Sequence, residues 1–123
     1  MKILVVEDEQ VLAKVFEEKF QKAKYDVKLA ADGISAVDYA KSFKPDLVIL
    51  DLVLPKKNGF DVLGDIKGMD ETKSIPVIVV SNLGEDEDIK KALALGAVDY
   101  FVKAQHPINE IVDKVKNVLI KSK

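Results

Sequence analysis

One apolar run constrains the fold of this chain more than any other feature. Residues 47–50 are Leu-Val-Ile-Leu, and the run ends abruptly at Asp51, before a loop that carries Pro55 and Asn58-Gly59. A strand that is apolar on both faces is typical of the middle of a parallel sheet with helices on both sides. Open α/β sheets place their chemistry at the carboxyl ends of such strands. Asp51 is therefore a candidate for a reactive carboxylate.

The remaining sequence repeats a strand followed by a helix. Runs rich in β-branched and aromatic residues predict four further strands, at 3–6, 25–30, 77–80 and 98–102. After each strand, apolar residues recur at helical spacing. Five alternating units predict a parallel sheet with helices on both faces. No linker or internal repeat interrupts them, so one domain over residues 1–123 is expected.

Single residues predict details of the helices. Asp32 is expected to cap the second helix, and Ile34 is expected to face inward on it. The fourth helix begins with the acidic run 85–88 and has a thin apolar stripe that includes Leu93. Pro107 suits the first position of the last helix.

Composition excludes several classes of function. The 123 residues are 48% hydrophobic and 33% charged, which is typical of one soluble globular domain. There is no cysteine, and the single histidine, His106, excludes a multi-histidine metal site within the chain. All 19 basic residues are lysines and the net charge is -2, which argues against direct binding of nucleic acid or an anionic membrane. Because no membrane-spanning run or signal peptide is recognisable, a cytoplasmic location is expected.

The predicted strands end in residues of complementary chemistry. Glu7 and Asp8 follow the first strand, Asp51 the third, Ser81 the fourth and Lys103 the fifth. The carboxyl ends of parallel strands share one edge, so these groups should converge there. Each pair of carboxylates at about 4 Å would cost about 4 kcal/mol at an effective dielectric of about 20. A divalent cation would relieve that repulsion, and oxygen ligation with waters left on the metal favours Mg²⁺.

This set of groups suits phosphoryl transfer. A metal that bridges to phosphoryl oxygens, with the Lys103 ammonium and the Ser81 hydroxyl as further contacts, is the arrangement that such transfer uses. Aspartate is a known nucleophile for the reaction and forms an acyl phosphate. Asp51 is the best candidate for the nucleophile because its strand is central and the other groups flank it.

Short motifs, each weak alone, become specific in this order and at this spacing. They are Val5-Val6-Glu7-Asp8-Glu9, Pro45-Asp46-Leu47-Val48-Ile49-Leu50-Asp51, Leu54-Pro55, Asn58-Gly59, Ser81, Leu95-Gly96-Ala97 and Tyr100-Phe101-Val102-Lys103. With them the whole chain resembles the receiver domains of two-component response regulators, in the stand-alone, single-domain form. The resemblance implies a flavodoxin-like doubly wound (βα)5 fold, with a five-stranded parallel sheet in the order 2-1-3-4-5.

The resemblance also implies a magnesium site around the phospho-acceptor. Asp51 would accept the phosphoryl group. Asp8, Asp51 and the backbone carbonyl of Val53 would bind Mg²⁺ directly, and Glu7 would orient the metal through water.

The remaining residues would read the phosphoryl group and pass on the signal. Ser81 would hydrogen bond a phosphoryl oxygen, and Lys103 would pair with the acceptor carboxylate or the phosphoryl group. Tyr100 would be the aromatic that moves on activation, although an aromatic on a strand also serves as ordinary packing. A histidine kinase or histidine phosphotransfer protein would be the donor. The surface of the fourth helix, fifth strand and last helix would then change for a downstream protein partner.

This reading describes a signalling switch and not an enzyme, apart from self-phosphotransfer and autodephosphorylation. The resemblance leaves open a monomer or a phosphorylation-dependent dimer. The net charge of -2 and the absence of arginine argue against direct contact with nucleic acid or an anionic membrane.

Four positions qualify the resemblance. Ala104 stands where receiver domains usually have a cis-linked proline; a non-proline cis bond costs about 2.5–4 kcal/mol, so a trans bond is expected. Asn82 stands where alanine is frequent. Val53 and Leu83 are apolar at the positions that influence how water reaches the acyl phosphate. Because apolar side chains cannot activate water, a comparatively long-lived phosphoryl group is expected.

Alternative functions remain at this point. A receiver-like module could act through binding alone, without phosphorylation. An aspartate-nucleophile phosphatase of the haloacid dehalogenase type would need a second aspartate where this chain has Val53, and would have its nucleophile on the first strand. A flavodoxin-like mononucleotide binder would share the sheet, but Glu7-Asp8-Glu9 would repel phosphate where that fold uses hydroxyls and glycine.

Overall fold

Strands and helices alternate along the chain, as predicted. The structure, a computed structural model, describes residues 1–121. Its strands are β1 (Lys2–Val6), β2 (Asp26–Ala30), β3 (Leu47–Leu50), β4 (Val77–Ser81) and β5 (Asp99–Val102). Its helices are α1 (Gln10–Lys22), α2 (Gly33–Ser42), α3 (Gly59–Gly68), α4 (Asp86–Ala94) and α5 (Ile108–Lys121). Neighbouring strands are parallel and the order is β2-β1-β3-β4-β5, which confirms the predicted fold class.

Two apolar layers hold the helices on the two faces of the sheet. The layer under α2, α3 and α4 includes Leu4, Val48, Leu50, Ala36, Ala40, Val62, Leu63, Ile66 and Ala92. The layer under α1 and α5 includes Ile3, Val5, Ile49, Phe16, Phe20, Ile111, Val115 and Leu119. Successive strand residues point to opposite faces, so β1 and β3 supply both layers, and this requires them to be apolar throughout. Within residues 1–121, no helix is both long enough and apolar enough to span a membrane.

The structure corrects three details predicted for α2, α4 and β5. Ile34 is 52% exposed instead of inward. The buried face of α2 is formed by Ala36 and Ala40, which lie on roughly the opposite side of the helix. Leu93 is 45% exposed because α4 meets the sheet along a narrow line; within Asp86–Ala94, Ala92 alone is fully buried. β5 begins at Asp99, one residue later than expected.

Side-chain caps begin the two helices that flank the loop after β3. The Asp32 carboxylate accepts a hydrogen bond from the backbone N–H three residues later at 2.8 Å, which confirms the predicted cap of α2. Asn58 caps α3 by accepting from the Asp61 N–H at 3.0 Å. Pro107 lies immediately before α5 and not at its first position, and its carbonyl accepts from the Glu110 N–H at 3.1 Å.

Gly59 brings the start of α3 against the strand end that carries Asp51. Its N–H donates to the Leu52 carbonyl at 2.9 Å. A Cβ at this position would overlap the Asp51 carbonyl oxygen and the Leu52 Cα. This close approach requires glycine, and it anchors the loop that follows Asp51 to the helix.

Two glycines of α3 should respond in opposite directions to alanine. Gly59→Ala is expected to destabilise the domain by about 1–3 kcal/mol, because the new methyl group overlaps backbone that has no space to move. Gly64→Ala is the matched control: nothing lies within 4 Å of its Cβ position, so it should stabilise by about 0.4–1 kcal/mol. Urea unfolding measures both. Equal effects of the two changes would contradict this account of Gly59.

Candidate functional site

The carboxyl ends of the strands form one cavity. Its volume is about 310 Å³, and its lining residues are Asp8, Glu9, Asp51, Val53, Asn82 and Lys103. The ladder continues past β3, because the Asp51 N–H donates to the Val6 carbonyl at 3.0 Å. That bond places Asp51 beside the end of β1, where Glu7 and Asp8 follow. We refer to this space as the Asp51 cavity.

Three carboxylates form a compact acidic cluster at this edge. One oxygen from each of Glu7, Asp8 and Asp51 lies within 4.8 Å of the others. Glu7 and Asp51 are each 4% exposed, whereas Asp8 is open to solvent. Hard carboxylate oxygens with one open side, which leaves room for waters, fit Mg²⁺. The donor chemistry of the cluster therefore agrees with the magnesium site that the sequence predicts.

Lys103 bridges the two buried carboxylates. Its Nζ lies 2.8 Å from Glu7 Oε1 and 3.0 Å from Asp51 Oδ2, and its side chain is 11% exposed. Burial lowers the pKa of Lys103, but the hydrogen bonds to Glu7 and Asp51 outweigh it, and the net pKa is raised. The ammonium is therefore firmly charged and lies beside the candidate acceptor.

Glu7 carries the electrostatic cost of this arrangement. Burial raises its pKa to about 7, against the hydrogen bonds from Lys103 and the Glu9 N–H; the charge of Asp51 adds to the increase. The pKa of Glu7 is thus raised although Lys103 is firmly charged, because one ammonium does not compensate for the burial of Glu7 and its repulsion by Asp51. A cation bound at the cluster would favour the ionised form of Glu7.

The two oxygens of Asp51 are held by different donors. Oδ1 accepts from the Val53 N–H at 3.2 Å, and Oδ2 accepts from Lys103. The Val53 side chain is 55% exposed and lines the cavity, whereas Leu83 is half-buried and packs against the core. Within residues 1–121 every peptide bond is trans, so the predicted trans bond between Lys103 and Ala104 is confirmed.

Ser81 and Tyr100 meet at the loop after β4. Ser81 is fully buried at the end of β4 and does not line the Asp51 cavity, and its hydroxyl accepts from the Leu83 N–H at 3.3 Å. The Tyr100 hydroxyl donates to the Leu83 carbonyl at 2.5 Å, so its half-buried ring already points toward this loop. Burial raises the pKa of Tyr100 to about 12, and the negative charges of Asp88 and Asp51 contribute. The phosphoryl contact of Ser81 and the movement of Tyr100 stay predictions.

Two cavity residues were not predicted as site residues. Glu9 Oε2 lies 3.7 Å from Lys103 Nζ. Asn82 is exposed and lines the cavity next to Lys103. The sequence marks Asn82 only as a departure from the frequent alanine, and Glu9 only as part of the acidic Glu7-Asp8-Glu9 loop. His106 does not line the Asp51 cavity. It lies in the loop before α5, where its Nδ1 is 2.9 Å from Glu110 Oε2.

The chain is similar in sequence to proteins of known family. The family model of the response regulator receiver domain matches residues 3–116, and the chain belongs to this family. It is 37% identical to sporulation initiation phosphotransferase F of Bacillus subtilis, over 96% of this chain and 93% of that protein. It is 35% identical to the alkaline phosphatase synthesis transcriptional regulatory protein PhoP of the same species, over 98% of this chain and 49% of that protein.

Solved structures support the same assignment. The receiver domain of a sensor histidine kinase from Pseudomonas aeruginosa PAO1 has a TM-score of 0.84 and 28% identity, with 96% of both chains covered. Its structure contains a magnesium ion coordinated in the active site cleft. The chain spans about half the length of several curated regulators that it matches. The family match and the similar solved structure together define this chain as a two-component signalling domain.

Magnesium should stabilise the domain through the acidic cluster. At ten times its Kd, Mg²⁺ should add about 1.4 kcal/mol to the free energy of unfolding. Asp8→Asn should weaken this binding at least about tenfold, because it removes one charged ligand. Thermal unfolding with and without Mg²⁺ measures the difference. Asp86→Asn, at the start of α4, is the control and should keep the full stabilisation; an undiminished effect in Asp8→Asn would contradict the site.

Proposed function

We propose that Asp51 accepts a phosphoryl group from a phosphohistidine of a histidine kinase or histidine phosphotransfer protein. The observation that carries this proposal is a buried carboxylate held by Lys103 within an acidic cluster. An Asp51 oxygen forms a bond to phosphorus while the phosphorus–nitrogen bond of the donor breaks. The imidazole keeps the electron pair and takes a proton, and Asp51 becomes an acyl phosphate.

The residues around Asp51 divide the work of this transfer. Mg²⁺ held by Glu7, Asp8 and Asp51, together with the Val53 carbonyl, would neutralise charge on the phosphoryl oxygens. Lys103 lies beside Asp51 Oδ2 and would pair with the phosphoryl group once the acceptor oxygen is esterified. Ser81 would supply a hydroxyl to another phosphoryl oxygen after it leaves the Leu83 N–H.

The signal would leave the site through the loop after β4. Phosphorylation replaces the single negative charge of the Asp51 carboxylate with a phosphoryl group of about -1.5 to -2, so the site becomes more negative by about -0.5 to -1. If Ser81 turns toward those oxygens, the Leu83 segment loses its hydrogen bond to Ser81 and can move. Tyr100, which donates a hydrogen bond to the Leu83 carbonyl, would then move with that segment. Because α4 buries so little, it can repack at low free-energy cost. The surface of α4, β5 and α5 would then change, because phosphorylation would shift a pre-existing equilibrium between inactive and active conformations. These conformations would differ in free energy by about a few kcal/mol.

The proposal extends to the partners. One relative is named a phosphotransferase, which supports a place in a phosphorelay, and others are named transcriptional regulators. We infer that residues 1–123 form one receiver domain that acts on a downstream protein as a monomer or a phosphorylation-dependent dimer. The net charge of -2 argues against direct contact with nucleic acid. Signalling without enzymatic turnover, and a cytoplasmic location, are parts of the same proposal.

A small phosphodonor tests the reaction directly. Incubation with Mg²⁺ and acetyl phosphate should raise the intact mass by one phosphoryl group, because Asp51 is the candidate nucleophile. Asp51→Asn should abolish the increase, and Asp38→Asn, on the exposed side of α2, should retain it. A wild-type chain that shows no Mg²⁺-dependent change, with acetyl phosphate or with beryllofluoride, would reject the proposed function.

The lifetime of the phosphoryl group should depend on Val53 and Leu83. A side chain that can orient water should accelerate autodephosphorylation, so Val53→Asn and Leu83→Glu should each raise the rate at least about tenfold. Val53→Ala is the control, since it stays apolar and should change the rate little. Loss of the phosphoryl group after removal of the donor is followed by intact mass. A rate that rises little, or falls, in the two polar variants would count against this explanation.

A further inference from the structure

Glu9 lies where two cavities meet. Beside the Asp51 cavity, a groove of about 430 Å³ runs between α1 and the start of α5. Glu9, Asn82 and Lys103 line both spaces. A small molecule that approaches Asp51 from the groove side must therefore pass the Glu9 carboxylate.

The helix does not use the Glu9 side chain. Glu9 occupies the N-cap position of α1, yet its side chain makes no capping hydrogen bond. Its Oε2 lies instead 3.7 Å from the Lys103 Nζ, and its side chain is 56% exposed. Capping, the ordinary reason for an acid at a helix start, is thus excluded as the reason for its orientation.

A divalent cation at the acidic cluster would not neutralise the charge of Glu9. Within residues 1–121, the carboxylates that contact Lys103 are those of Glu7, Asp51 and Glu9. Glu7 and Asp51 belong to the cluster that a divalent cation would neutralise, whereas Glu9 does not. Glu9 therefore keeps a negative charge at the mouth of the cavity, and it partly screens the ammonium that would attract a phosphoryl group.

We propose that Glu9 is a specificity-determining residue that disfavours small free phosphodonors in proportion to their negative charge. The proposal rests on the proposed function of Asp51. With acetyl phosphate, an Asp51 oxygen bonds to phosphorus, the phosphorus–oxygen bond to the acetyl group breaks, and acetate leaves with the electron pair. Repulsion between Glu9 and the dianionic donor raises the free energy of its approach. Glu9 thereby limits phosphorylation by small metabolites that would bypass a partner protein.

The test compares two donors of different charge. In neutral buffer with Mg²⁺, acetyl phosphate is a dianion, and phosphoramidate carries one negative charge less. Glu9→Gln should raise the initial rate with acetyl phosphate about two- to fivefold at low ionic strength, and the rate with phosphoramidate by a smaller factor. High salt should diminish the gain, because exposed charges are screened. Glu9→Asp should keep the wild-type preference between donors, and Glu18→Gln, on the exposed side of α1, should change neither rate.

The outcomes separate this proposal from the proposed function. A rate gain in Glu9→Gln that depends on donor charge and on salt supports it. An equal gain with both donors, an unchanged rate with both donors, or a loss with acetyl phosphate would overturn it; the loss would mean that Glu9 chiefly positions Lys103. In all of those results wild type is still phosphorylated, so the function of Asp51 stands. A wild-type chain that neither donor phosphorylates overturns both.

Discussion

The contact of the Lys103 ammonium with Glu7 and Asp51 is the constraint on which the site depends. Lys103 follows β5 and Asp51 follows β3, so the lysine must reach across the end of β4. Two strand spacings amount to about 10 Å, which a lysine can bridge only if nothing large stands between. Ser81 occupies that strand end, where it is short and fully buried. The order of the strands therefore requires a small residue at the end of β4 and a side chain as long as lysine after β5.

The same contact is weak as a source of stability, which favours a functional explanation. Burial raises the pKa of Glu7 to about 7 even with Lys103 at 2.8 Å. Groups that are taken out of water recover that cost through Coulomb attraction only in part. Apolar residues of similar volume would pack here without this cost. A cluster that is unfavourable alone and compatible with a divalent cation is the arrangement expected of a site selected for phosphoryl chemistry.

The sequence predicted the fold and the convergence of the charged residues at the strand ends, because both follow from local rules. The spacing of the hydrophobic residues predicts the helices and strands. In a parallel sheet the carboxyl ends of the strands share one edge, which places Glu7, Asp51 and Lys103 together. The orientation predicted for Ile34 was wrong because α2 buries the small residues Ala36 and Ala40 against the sheet, on roughly the opposite side of the helix. The contact of Glu9 with Lys103 depends on a side-chain direction at a helix start, which no periodicity determines.

The hydrogen bonds around Leu83 indicate what kind of switch this can be. Burial and the charges of Asp88 and Asp51 raise the pKa of Tyr100 to about 12, so the phenol is a neutral donor to the Leu83 carbonyl. A more negative group on Asp51 would raise that pKa further, because it disfavours the phenolate. Proton loss from Tyr100 therefore cannot signal phosphorylation. What can change is position: Ser81 holds the Leu83 N–H, Tyr100 holds the Leu83 carbonyl, and the proposed rotation of Ser81 toward a phosphoryl group would break the first of these bonds.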